Sequence, residues 1–235
     1  MKDRPIISNQ HGALVMAFVP FFYAIFTGHA VINHIWLGIS WLFLYLFSYP
    51  FFGIFSKKNP QRQKKWAVIY ALISLLFALP LVWQNVAILQ FSLPMLPLVA
   101  IQIYYAKQKN ERHLLNDIAG ILTFGVVGMA AAYLATGDYR FEVLLHPSLF
   151  FIATTFYIKS VARERKNPRY RQISLLLHLV FSVAYALSGY KWIALAYFIA
   201  MLRAWFVPQW NWNIKQVGLL EFATVSLFLL ALIAG

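Results

Sequence analysis

The chain has 235 residues, of which 61% are hydrophobic and only 11% charged, and its 20 lysines and arginines outnumber 7 acidic residues to give a formal net charge of +13. A soluble domain is nearer half apolar and a quarter charged, so this composition excludes a water-coated globule and requires that much of the surface meet lipid. The absence of cysteine excludes disulfides, thiolate metal sites, iron–sulfur clusters and cysteine nucleophiles.

A spanning helix needs roughly 20 mostly apolar residues, and the chain is a succession of such runs. The polar residues 1–12 are followed by no small-residue cleavage site, so the run at 12–28 reads as a retained first helix. Asn9 and His11 lie just before it, where unpaired backbone donors and polar side chains can meet an anion or substrate, although capping explains the same residues. Runs at 35–55, 66–83, 86–105 and 114–135 follow, with Pro20 inside the first helix and Pro94 and Pro97 inside the fourth as sources of kinks. The fifth carries Gly120, Gly125, Gly128 and Ala132, small residues that let helices approach closely. Runs at 142–161, 172–187, 189–208 and 216–234 complete the set. The breaks at Trp83-Gln84-Asn85 and Ser188-Gly189-Tyr190-Lys191 are tight, so eight spans is the alternative count. The expected fold is all-α, a polytopic transmembrane bundle of about nine helices in a single domain covering 1–235.

Lysine and arginine set the orientation, because positively charged loops stay in the cytoplasm. With the amino terminus inside, 18 of the 20 cations fall on that side, and only Arg140 and Lys191 fall outside. That placement accounts for the net charge without nucleic acid as a partner, and it makes anionic lipid headgroups the expected neighbours. The expected location is a bacterial cytoplasmic membrane.

Three polar constellations are candidates for chemistry. In the connection before the fifth helix, His113 and Asp117 are four apart, as are Arg112 and Asn116, so each pair shares a face of any helix formed there. A carboxylate beside an imidazole is the arrangement used for proton transfer; a helix start with Asp117 in the first turn is the other reading. In the connection after the sixth helix, Lys159 and Arg163 are spaced to hold one phosphate-like group, while Arg169 and Arg171 read as headgroup contacts.

Third, His178, Arg203 and Glu221, on three consecutive helices, lie at one depth, roughly 9 Å inside the basic side at 1.5 Å per residue. Ionisable groups at that depth usually pair or line a wet cavity, and Arg203 with Glu221 is the expected pair. An ion pair that only fixes helix packing is the competing reading. His29, His34 and His146 match no metal-ligand spacing, so no metal is expected. With only His178 well inside a span, the residues do not provide the two facing histidines of a b-type haem, and they name no other cofactor.

Asn9-Gln10-His11-Gly12-Ala13 and Glu111-Arg-His-Leu-Leu-Asn-Asp-Ile-Ala-Gly120, with the later Tyr157-Ile-Lys-Ser-Val-Ala-Arg-Glu-Arg165 and Gly218-Leu-Leu-Glu221, resemble the YwiC-like family of bacterial membrane proteins. That resemblance covers essentially the whole chain and implies a bacterial membrane but no reaction. A more distant similarity is to UbiA-type prenyltransferases, nine-helix bundles that bind magnesium pyrophosphate through paired aspartate-rich motifs. Here Asn116-Asp117 is followed by Ile118-Ala119-Gly120, the 2–3 connection has no acid and the 6–7 connection has only Glu164. Magnesium-dependent prenyl transfer therefore does not carry over.

The function expected from these residues is binding or processing of an anionic, lipid-like molecule, isoprenoid or phosphate-bearing, at the cytoplasmic half of the bundle. Arg112, Lys159 and Arg163 would hold its charge, with Asn116, Asn9, His11, His178 and Arg203 as further contacts and His113, Asp117 and Glu221 as proton-handling or orienting groups. The alternatives are a small-anion transporter and an accessory membrane subunit without chemistry.

Overall fold

A computed structural model describes residues 4–8, 11–56, 60–210 and 212–235, with His11 described in its backbone alone. Asn9 lies outside the described residues, as does the side chain of His11, so the candidate contacts at the amino terminus have no structural account. Nine α-helices are present among the described residues: α1 (His11–Thr27), α2 (Asn33–Ser56), α3 (Pro60–Gln84), α4 (Ser92–Lys107), α5 (Leu114–Thr136), α6 (Phe141–Ile158), α7 (Pro168–Leu187), α8 (Lys191–Phe206) and α9 (Ile214–Ala234). The helices from α2 onward, counted with their short terminal extensions, are long and apolar enough to cross a membrane, and α1 is a shorter apolar helix. The break expected near Gln84-Asn85 is real: α3 ends at Gln84, and a 3₁₀ segment, Val86–Phe91, leads into α4.

The main departures from the expected spans are at helix starts. α3 begins at Pro60 rather than 66 and α7 at Pro168 rather than 172. In each case proline supplies a pre-set φ at the first helical position, where its missing N–H costs nothing, and the helix runs through a basic stretch that hydropathy alone assigns to a loop.

The chain divides into two compact units, Met1–Leu144 and Leu145–Gly235. Their boundary falls inside α6, without a linker.

In the first unit α5 is the central helix. Residues 125–132 are all buried, the pattern of a helix enclosed on every side. Gly128 is there for contact: a Cβ on it would lie 2.5 Å from Pro20 Cβ and 2.9 Å from the Pro20 carbonyl carbon, so α1 and α5 meet there with almost no side chain between them. Polar side chains tie the remaining helices together, as lipid offers no hydrophobic drive between them. Trp41 Nε1 donates to the Ala17 carbonyl at 2.9 Å, joining α2 to α1. Ser40 and Ser74 each donate to the other's carbonyl, at 3.0 and 2.9 Å, joining α2 to α3.

His34, buried, donates from Nε2 to Ala131 O at 2.8 Å and accepts Val31 N–H on Nδ1 at 3.1 Å. Both ring nitrogens are thereby used, and His34 is a helix-joining residue.

In the second unit the core is aromatic. Phe150 of α6 stacks on Phe228 of α9 at 3.8 Å, and the ring of Tyr197 from α8 sits edge-on to both. α8 buries Ala196, Ala200 and Ala204 at four-residue spacing, the small-residue seam that allows close packing in a membrane. Ser182 of α7 donates to the Ala194 carbonyl of α8 at 2.9 Å, and Ser174 of α7 to the Ala153 carbonyl of α6 at 3.1 Å.

Candidate functional site

At the end of α6 the helix does not stop at Ile158 but widens into a π turn, Lys159–Arg163, closed by Glu164 N–H on the Lys159 carbonyl. Such bulges often mark functional sites. The turn separates Lys159 from Arg163: Lys159 is buried and Arg163 exposed. The four-residue spacing that suggested a shared grip on one anion therefore places the two cations in different environments.

Beside this turn a cavity of about 570 Å³ opens among the connections α6–α7 and α8–α9. Its cations are Arg165, Lys166 and Arg171, and its apolar wall comprises Val161, Val207, Val217 and Trp212. Asn167 and Pro168, at the start of α7, complete one edge, where the helix dipole favours negative charge. Asn167 caps that helix by accepting Arg169 N–H at 3.2 Å.

Two of the guanidinium groups are fixed by main-chain carbonyls. Arg165 donates to Val161 O and, at 3.3 Å, to Trp212 O. Arg171 donates to Trp205 O at 3.0 Å and stacks on that indole at 5.3 Å, while its buried Nε has no hydrogen-bond partner among the described residues. Sequence spacing alone favoured Lys159 and Arg163 over Arg171. The missing signal was Trp205, 34 residues away, which turns Arg171 from a headgroup contact into a cavity wall.

One helical turn from the cavity lies the intramembrane pair. Arg203 Nη1 donates to both carboxylate oxygens of Glu221 at 2.7 Å, and the two side chains keep 3% and 12% of their surface exposed. Arg203 also approaches Thr154 Oγ1 at 3.4 Å and lies over the Tyr157 ring at 4.2 Å. Arg203 Nε and Tyr157 OH are buried without hydrogen-bond partners among the described residues. Tyr157 and Thr154 were not legible as participants, because a tyrosine and a threonine in an apolar run look like ordinary packing.

His178 is fully buried. Its Nδ1 donates to the Ser174 carbonyl at 2.7 Å, which leaves Nε2 as the unprotonated nitrogen, without a partner among the described residues. The ring packs against Phe150 and Tyr197.

The remaining candidates belong to the first unit. His113 is the N-cap of α5, accepting Leu115 N–H on Nδ1 at 3.2 Å, with its ring stacked on Tyr105 at 4.2 Å. Asp117 sits in the first turn of α5, the position the helix dipole favours for an acid. Asn116 donates to the Glu111 carbonyl at 2.8 Å, and Glu111 accepts from Ser56 Oγ at 2.6 Å, so this segment organises the α4–α5 connection. Arg112 is exposed. No group of three or more His, Asp or Glu side chains close enough to hold a metal occurs among the described residues.

The fold and these two features define the class: a polytopic helical membrane protein with a basic cavity at helix ends and an ion pair buried among its spans. Residues 7–132 match the family described as YwiC-like protein, and the chain belongs to it. The chain is 43% identical over 233 residues to an uncharacterized protein of Haemophilus influenzae, covering 98% of both chains. It is 38% identical over 229 residues to the uncharacterized protein YwiC of Bacillus subtilis, covering 96% of both. No solved structure matches the chain.

Proposed function

We propose that the protein binds an anionic, phosphate-bearing, lipid-like molecule in the cavity at the α6–α7 connection, on the cytoplasmic side of a bacterial inner membrane. The observation that carries this reading is the cavity's mixed lining: the cations Arg165, Lys166 and Arg171 together with the apolar Val161, Val207, Val217 and Trp212. An amphiphile satisfies both kinds of lining at once, with its phosphate on the cations and its first methylenes on the valines. A small inorganic anion would use only the first.

This reading shifts the expected anion contacts from Lys159, Arg163 and Arg112 to the cavity cations. It assigns the protein binding rather than a reaction, because His113 and Asn116 are engaged in building the start of α5.

The test uses purified protein in detergent micelles and dodecyl phosphate as the probe, with dodecyl maltoside as the uncharged control. A charge-assisted hydrogen bond contributes about 1.5–3 kcal/mol, so Lys166→Ala and Arg171→Gln are each expected to weaken dodecyl phosphate binding by roughly tenfold or more. Unchanged affinity in both variants would remove the cavity from consideration.

Orientation has its own test, made simple by the absence of cysteine. Single cysteines replacing Lys64 and Arg165 are expected to react with a membrane-impermeant maleimide only in inverted vesicles, and one replacing Lys191 only in intact cells. Labelling of positions 64 and 165 from opposite sides would overturn the topology.

A further inference from the structure

The cavity and the buried ion pair are linked by register. Val161, Val207 and Val217 wall the cavity and belong to one buried cluster with Tyr157 and Ala204. Four residues along the chain from each valine stand Tyr157 on α6, Arg203 on α8 and Glu221 on α9. α6 and α8 run toward the cavity and α9 runs away from it, so the step of minus four on the first two and plus four on the third goes the same way. Tyr157, whose ring lies on Arg203, is itself a member of that cluster, so the cavity wall and the ion pair share one patch of core.

The pair itself is incomplete. A guanidinium matches a carboxylate best through two parallel N–H bonds from two nitrogens. Here Glu221 occupies Nη1 alone with both of its oxygens, Nη2 reaches only Thr154 at 3.4 Å, and Nε has no acceptor among the described residues. The Tyr157 hydroxyl, from the ring stacked on Arg203, is a second buried group without a partner. These unsatisfied donors are what an oxyanion requires, and what keeps a second anion away is the charge of Glu221.

We propose that Arg203 and Glu221 form a proton-controlled anion acceptor behind the cavity, and this rests on the reading of the cavity given above. A proton from cavity water bonds to a Glu221 carboxylate oxygen, Arg203 keeps its own proton, and the pair passes from neutral to a charge of +1. One negative charge of the bound phosphate restores neutrality, so proton and anion enter together and nothing is oxidised or reduced. The titratable groups around Glu221 are Arg203 from α8, Tyr157 from α6 and, on α7, His178; Lys159 lies two residues beyond Tyr157.

Two measurements test this on the full-length protein in detergent. In the first, dodecyl phosphate is added to weakly buffered protein and proton uptake is followed with a pH-sensitive dye. The wild type is expected to take up about one proton per bound phosphate, whereas Glu221→Gln, which keeps an acceptor for Arg203, binds without uptake and loses the pH dependence of binding. Full uptake by Glu221→Gln overturns the proposal while leaving the cavity reading intact. In the second, dicyclohexylcarbodiimide, which reacts with protonated carboxyl groups in apolar surroundings, is applied without any phosphate and adducts are located by mass spectrometry. Labelling of Glu221 that grows as the medium is made mildly acidic is expected. Absence of that adduct at every pH overturns the proposal regardless of ligand, while absence of dodecyl phosphate binding to the wild type overturns the cavity reading.

Discussion

Glu221→Ala is expected to destabilise the protein by about 3–5 kcal/mol, the usual consequence of removing one partner from a buried pair and leaving the other charge unmatched. Arg203 has 3% of its side chain exposed and lies in a span, so it has little water to turn to. Thermal unfolding in detergent, followed by loss of the monodisperse peak on gel filtration, would measure the effect. The informative contrast is the double variant Arg203→Met with Glu221→Leu. Replacing both charges by apolar groups of similar volume is often neutral or stabilising, so the double variant is expected to unfold near the wild-type temperature. It would nevertheless lose the proton uptake described above. A double variant as unstable as Glu221→Ala would mean that the pair holds α8 to α9 by itself. A stable double variant with unchanged function would reduce the pair to packing.

The sequence made the helices legible for a simple reason: each membrane crossing imposes a length and an apolar composition, and charged or helix-breaking residues must collect between crossings. Arg203 with Glu221 was legible for a related reason. Two opposite charges at one computed depth, on consecutive helices, have few ways to be stable in lipid other than meeting, and they meet at 2.7 Å.

The cavity was not legible, because it depends on distant segments. Arg171 becomes a wall through Trp205, and Arg165 through Val161 and Trp212. The spacing of Lys159 and Arg163 assumes an α-helix, whereas the chain there makes a wider turn that buries one cation and exposes the other. His113 illustrates an ambiguity that spacing cannot resolve. A histidine four residues before an aspartate fits a proton-transfer pair and a helix start equally well, and the structure uses its Nδ1 to cap α5. Tyr157 carried no signal of a role beside Arg203, since that role comes from a ring lying on a guanidinium 46 residues further along the chain.

The glycines make the sharpest prediction about the first unit. Gly128→Ala is expected to cost about 1–3 kcal/mol, the usual penalty for overpacking a tight contact, although alanine is otherwise the better helix former by about 1 kcal/mol. The added Cβ would meet Pro20 Cβ at 2.5 Å, and the Pro20 carbonyl carbon and oxygen at 2.9 Å. Two of those three atoms are main chain, so no rotamer change relieves the overlap and α1 must shift as a whole. Substituting α1 therefore offers little rescue: Pro20→Gly removes the Cβ but leaves the carbonyl in place, and the pair Pro20→Gly with Gly128→Ala is expected to remain less stable than the wild type. Gly218 of α9 is the control, since a Cβ there meets nothing within 4 Å. Gly218→Ala should be neutral or stabilising by up to about 1 kcal/mol, through helix propensity alone. Thermal unfolding of the two single variants side by side gives the comparison. Equal melting temperatures for Gly128→Ala and Gly218→Ala would show that α1 does not lie against α5 as described.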